Sequence, residues 1–110
     1  MRGYAPGTLS IASGSNTSSA LDLRGITFFS IFLPTLDAGT VRLIGSYDGT
    51  NYFDMQDMTP VVLVFGSGTG NFVMDGDYCA RFLGCAFVQV KTSVNQTAAR
   101  TINYVTWRGT

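Results

Sequence analysis

Val41-Arg42-Leu43-Ile44-Gly45-Ser46-Tyr47-Asp48-Gly49-Thr50-Asn51-Tyr52-Phe53 is the stretch that decides the fold. Val41, Leu43, Gly45 and Tyr47 point one way and Arg42, Ile44 and Ser46 the other, which is the two-residue period of a half-buried strand. Asp48-Gly49 breaks the pattern. Asp tolerates left-handed backbone angles and Gly adopts them at no steric cost, so Asp-Gly between apolar runs predicts a strand, a tight turn and a second strand.

Working outward, the same reading finds further strands. Leu9-Ser10-Ile11-Ala12 alternates, Gly14 to Ser19 is a polar loop, and Ala20-Leu21-Asp22-Leu23 resumes the alternation before Arg24-Gly25 turns the chain. Ile26 to Leu33 is apolar on both parities, as in a strand central to a sandwich or covered by a partner, and Pro34 ends it. Val61 to Phe65 is a second such run, Gly66-Ser67-Gly68-Thr69-Gly70 a loop, and Phe72-Val73-Met74 a short strand closed by Asp75-Gly76-Asp77. Arg81 to Thr92 reads as one long strand, Asn95 to Ala99 as a loop, and Thr101 to Trp107 as the last strand. Eight or nine short antiparallel strands with frequent turn signals predict an all-β, single-domain β-sandwich over residues 9–110. Residues 1–8, punctuated by Gly3, Pro6 and Gly7 and bearing Tyr4, read as a flexible N-terminal arm.

Composition narrows the function. The chain has 110 residues, 45% of them apolar and only 13% charged, about half the usual charged share. Seven Asp balance six Arg and one Lys, giving net charge zero and no electrostatic footprint for nucleic acid or an anionic membrane. A surface so poor in charge suits a protein that is covered by partners. No apolar run follows Arg2 and none reaches the roughly 20 residues of a spanning helix, so a product made in the cytoplasm is expected. The sequons Asn16-Thr17-Ser18 and Asn95-Gln96-Thr97 carry no meaning without secretion.

The chemistry of enzymes is missing. There is no His and no Glu, which removes the commonest general base and the nucleophile–His constellations. The Asp residues sit in turn contexts, where they cap backbone groups. Asp75 and Asp77 offer a hard cation two carboxylates, too few for a calcium site. The glycine loop at 66–70 lacks the lysine and following helix of a phosphate loop. Cys79 and Cys85 would lie about 20 Å apart on one strand, against about 5.5 Å for a disulfide, so they read as reduced, partly buried thiols. No enzyme activity, cofactor or metal is expected.

Taken in order, several segments resemble a family of small tailed-bacteriophage virion proteins. They are Leu9–Gly14, Ser19–Gly25, Phe29–Pro34, the Ser46–Tyr52 hairpin, Arg81-Phe82-Leu83 and, most specifically, Asn95-Gln96-Thr97-Ala98-Ala99-Arg100-Thr101-Ile102. The resemblance implies a β-sandwich of jelly-roll type that serves as a capsid decoration or cement protein, a homotrimer on the virion surface whose partners are the major capsid protein and its own copies. Tyr4, Tyr47, Tyr52 and Trp107 are the expected partner contacts. The hairpin motif also occurs in sugar-binding jelly rolls. A carbohydrate-binding domain of a phage tail or surface fibre therefore stands as the alternative, with Tyr47, Asp48, Asn51, Tyr52 and Trp107 around a glycan.

Overall fold

The computed structural model describes residues 3–37, 39–55, 63–65, 72–74 and 76–108. The expected Gly66–Gly70 loop, Val61, Val62 and Asp75 lie outside them. Among the described residues the elements are β1 (Ala5–Ile11), β2 (Leu21–Asp22), β3 (Phe28–Leu33), β4 (Gly39–Ser46), β5 (Tyr52–Phe53), β6 (Leu63–Phe65), β7 (Phe72–Val73), a short helix α1 (Gly76–Ala80), β8 (Phe87–Thr92) and β9 (Arg100–Trp107). They form two antiparallel sheets, one ordered β1-β9-β3-β7 and the other β2-β8-β4-β5, with β6 beside β5 on the same edge of β4.

The pairs nest. β1 pairs with β9, β2 with β8, β3 with β7 and β4 with β5. A long antiparallel ribbon rolled so that its two ends meet first is the jelly-roll wrapping, and it confirms the all-β sandwich expected from the alternation. Phe29, Ile31, Leu33, Leu9, Ile11 and Ile102 from one sheet meet Leu21, Val41, Leu43, Val88 and Val90 from the other in a single core. Every one of these sits on the inward parity of its strand.

Three expectations are corrected. Residues 5–8 are not an arm: β1 runs unbroken from Ala5 and pairs with β9 from Ala5↔Thr106 to Ile11↔Arg100. Pro6 fits because β1 is an edge strand, where a missing N–H costs nothing. Gly7 fits because the ring of Tyr104 fills the space a Cβ would take. Deleting residues 1–8 should therefore weaken the fold itself. Even about 1 kcal/mol of lost pairing lowers Tm by roughly 4–8 °C in a domain of this size, and an unchanged melting curve would contradict the pairing.

The segment expected to be a strand from Arg81 begins instead with turns that continue from α1, and only Phe87–Thr92 is strand. Arg81, Phe82, Leu83 and Cys85 donate their N–H groups to Tyr78, Cys79, Ala80 and Phe82. Tyr78, Cys79 and Phe82 are the buried residues, a helical spacing that four alternating residues mimic. This fold-over repairs a gap. β6 covers β4 at Gly39–Val41 and β5 covers it at Gly45–Ser46, and between them the Leu43 N–H donates to the Tyr78 hydroxyl at 2.8 Å. Burial pushes the Tyr78 hydroxyl above its ordinary pKa.

The opening hairpin is real but its turn is longer than two residues. Ser46 pairs with Tyr52, leaving Tyr47–Asn51 as the loop. Gly49 sits at φ 82°, the left-handed conformation that Asp-Gly was expected to supply.

Candidate interaction surfaces

The hairpin loop is built by side chains accepting backbone donors. Ser46 Oγ accepts from the N–H of Asp48 and Gly49 at 3.2 and 2.8 Å. Asp48 Oδ1 accepts from Thr50 and Asn51 N–H, both at 2.9 Å, and Oδ2 from Asn51 Nδ2 at 2.9 Å. Those bonds, led by the Asn51 and Thr50 amides, hold the Asp48 carboxyl far below the usual carboxylate range. Asp48 and Asn51 are thus committed to the loop.

What the loop presents is aromatic. Tyr47 is 71% exposed and Phe53 58%, with ring centroids 6.3 Å apart at 30°. They stand at the rim of a pocket of about 270 Å³ lined also by Gly45, Met55, Phe82 and Cys85. A Cβ on Gly45 would run into the Cys85 sulfur, so glycine is what admits the thiol there. Burial raises the Cys85 thiol above its ordinary pKa and keeps it protonated. Cys79 and Cys85 are both thiols, with Cys79 buried in α1. Asp54, beside the rim, is paired with Arg42 at 2.7 Å.

Tyr47 and Tyr52, both named as partner contacts, are not cross-strand neighbours: Ser46 is the residue opposite Tyr52, and Tyr47 stacks on Phe53. The Tyr52 hydroxyl is buried without a hydrogen-bond partner among the described residues. Desolvation, and then the Asp48 charge, push it above its ordinary pKa.

Tyr4 and Trp107 do come together, on the other sheet. Tyr4 lies against Trp107 at 5.9 Å between ring centroids, and Trp107 against Phe28 at 5.3 Å. This ridge stands on the outer face of the β1-β9-β3-β7 sheet. Across that face run a Pro6–Val105–Ser30 row and a Thr8–Asn103–Phe32–Val73 row. With Ser10 and Thr101 completing it, the described strand residues give this face no charged side chain. The outer face of the opposite sheet carries Asp22, Arg42 and Lys91, with Arg24 over the Phe87 ring at 5.1 Å. The glycan set Tyr47, Asp48, Asn51, Tyr52 and Trp107 is therefore divided between two sheets and is not one site. Phe28, Phe32, Phe53 and Val73 belong to the two exposed surfaces and were not singled out by sequence. The double-parity run Ile26–Leu33 held the signal for the first two.

Among the described residues there is no group of three or more His, Cys, Asp or Glu side chains that could hold a metal ion. Their ionisable groups serve the loops. Asp22 is lowered to about 2 by hydrogen bonds from the Arg24 side chain and backbone, and Asp37 is lowered by the Thr97 amide and hydroxyl and by Arg100. For Asp22, Asp37 and Asp48 the folded pKa is depressed, so each contributes stability above the unfolded carboxylate range near about 4. That contribution is lost as pH falls through the folded values. Acid melts should show Tm level from neutral pH to about 4 and falling below it. A Tm that rises below pH 4 would contradict these bonds.

Comparison of the chain with protein-family models, with characterised proteins and with solved structures returns no match.

Proposed function

We propose that this chain is a structural virion protein, a capsid decoration or cement protein that binds the outer surface of a bacteriophage head and stabilises it, without enzymatic activity. The observation that carries this reading is the pair of separate aromatic surfaces on one small, charge-poor jelly roll: the Tyr47–Phe53 rim and the Tyr4–Trp107–Phe28 ridge. A cement protein must touch both the capsid and its own copies, and it does so with broad contact rather than with chemistry. Aromatic and Met residues are enriched and charges depleted at the centres of such contacts. The Tyr47–Phe53 rim with its apolar pocket suits a protruding side chain of the capsid protein. Mixing the purified chain with heads that lack it should give saturable binding and heads that release DNA at a higher temperature. Tyr47→Ser with Phe53→Ser should lower occupancy at least tenfold, since exposed aromatic anchors of this kind carry about 2 kcal/mol or more. Unchanged occupancy would refute the rim as the capsid contact.

The exposed ring pair also favours a second reading, a carbohydrate-binding domain of a tail or surface fibre, because sugars stack on such rings. Against it, the neighbouring Asp48 and Asn51 are spent on the loop. A glycan array decides: saturable binding that is lost in Tyr47→Ser would favour the sugar, and no binding would remove it.

A further inference from the structure

The uncharged outer face of the β1-β9-β3-β7 sheet has a raised end and a hollow end. At one end stand Tyr4, Trp107 and Phe28, with Tyr4 62% exposed. At the other, a groove of about 220 Å³ opens between Phe32, Phe72, Val73 and Asn103, with Val73 58% exposed. Phe28 and Phe32 lie four residues apart on β3, about 13 Å, with Ser30 midway.

We propose that this face is a two-fold self-association surface, in which the Tyr4–Trp107–Phe28 ridge of each copy seats against the Thr8–Asn103–Phe32 row of the other, at the border of the Val73 groove. The geometry selects the occupant. Consider a two-fold axis lying in the interface along the Pro6–Val105–Ser30 row. It turns one sheet over onto the other, reverses the strand direction, and brings position 28 of one copy opposite position 32 of its mate. Trp107 then comes opposite Asn103 in the same way, since both pairs of positions are joined in register across β9 and β3. Each copy contributes the same patch, and its two ends are complementary, as an isologous contact requires. Because ridge and groove face the same way, a closed pair satisfies both at once. This departs from the three-fold assembly that the resemblance implies.

Charge agrees with the choice. A second copy offers an equally uncharged face, so no ionised group is stripped of water when the two meet. A partner surface with the ordinary quarter of charged residues would have to desolvate charges against Thr, Ser and Val. Size sets the strength. Four strands at about 4.8 Å and some six residues at about 3.3 Å give about 400 Å² of face per copy, or about 800 Å² for the pair. That is below the standard interface and in the range of weak, reversible association. The inference concerns the purified chain alone and stands or falls independently of any role on a phage head.

Sedimentation equilibrium of the full chain between about 1 μM and 1 mM tests it. The expected result is a mass rising from one copy to two within that range. Val73→Lys places a charge in the groove and Tyr4→Ala removes the tip of the ridge. Both side chains are more than half exposed, so neither change should disturb the core. Each should weaken the pair at least tenfold, while Tyr47→Ser on the opposite sheet should leave it unchanged. A chain that stays single up to about 1 mM overturns the proposal, as does a species of three copies. So does a shift produced by only one of the two variants, because the ridge and the row that Val73 ends would then not share one interface.

Discussion

Phe82→Ala should lower the unfolding free energy by about 3–5 kcal/mol, the cost of deleting a large ring from a site that cannot collapse around the void. Phe82 is fully buried, packs edge-on against Tyr78 at 5.4 Å, and forms the floor of the hairpin pocket. It is also the residue that holds the fold-over between α1 and β8, since its backbone both donates to Cys79 and accepts from Cys85. Loosening that fold-over would release Tyr78 from the Leu43 N–H and leave a buried donor in the middle of β4 without its partner. Thermal and chemical denaturation should agree on a loss that moves Tm down by more than about 10 °C. Phe82→Leu, which keeps most of the volume, should cost no more than about 1.5 kcal/mol. Equal losses in the two variants would mean that packing of the ring is not the cause.

Gln96→Ala should cost about 2–4 kcal/mol, a large effect for a residue in a loop. Gln96 is 1% exposed and its amide uses both ends. Oε1 accepts from the Asp37 N–H at 2.9 Å and from Arg100 Nε at 3.2 Å, while Nε2 donates to Thr92 Oγ1 at 3.3 Å and to the Val94 carbonyl at 3.4 Å. Around it, Asp37 accepts from the Thr97 N–H and from Arg100 Nη2, both at 2.7 Å. The backbone of Gln96 also accepts from Gly14 and donates to Ser15. One residue thus clasps three connections: its backbone holds the one between β1 and β2, and its side chain ties the one between β3 and β4 to the one between β8 and β9. Gln96→Glu keeps the shape but turns two donor bonds into oxygen facing oxygen. It should therefore destabilise as well, and a Glu variant as stable as the parent would show that the clasp is not held by its donors.

That clasp marks the boundary of what could be read from the sequence. The alternation of β4, the unbroken apolar run of β3 ended by Pro34 and the Asp-Gly turn were legible because a two-residue period, a short apolar run and a positive-φ residue act locally. The segment Asn95–Ile102 stood out only as part of a resemblance. Its physical role depends on Asp37, 59 positions before Gln96 in the chain, which no local pattern encodes. β1 was shortened because Pro6 and Gly7 normally break strands. What admits them is an edge position and the ring of Tyr104, and both are tertiary facts. The turns at Arg81–Cys85 were missed because Arg81-Phe82-Leu83 is too short to separate a strand from a helical turn, and α1 itself has only five residues and opens on Gly76-Asp77, which read as a loop. The partner residues divided in the same way. Tyr4 and Trp107 were each visible as unspent aromatics, yet only the β1–β9 register brings them together.

The central claim, that the chain coats a phage head through its aromatic surfaces, is tested most directly by counting its copies on purified particles by quantitative mass spectrometry against the major capsid protein. The account predicts a fixed ratio, with copies in the large number that icosahedral capsid positions impose. A handful of copies per particle, as in a tail ring or fibre, or none at all, would contradict it.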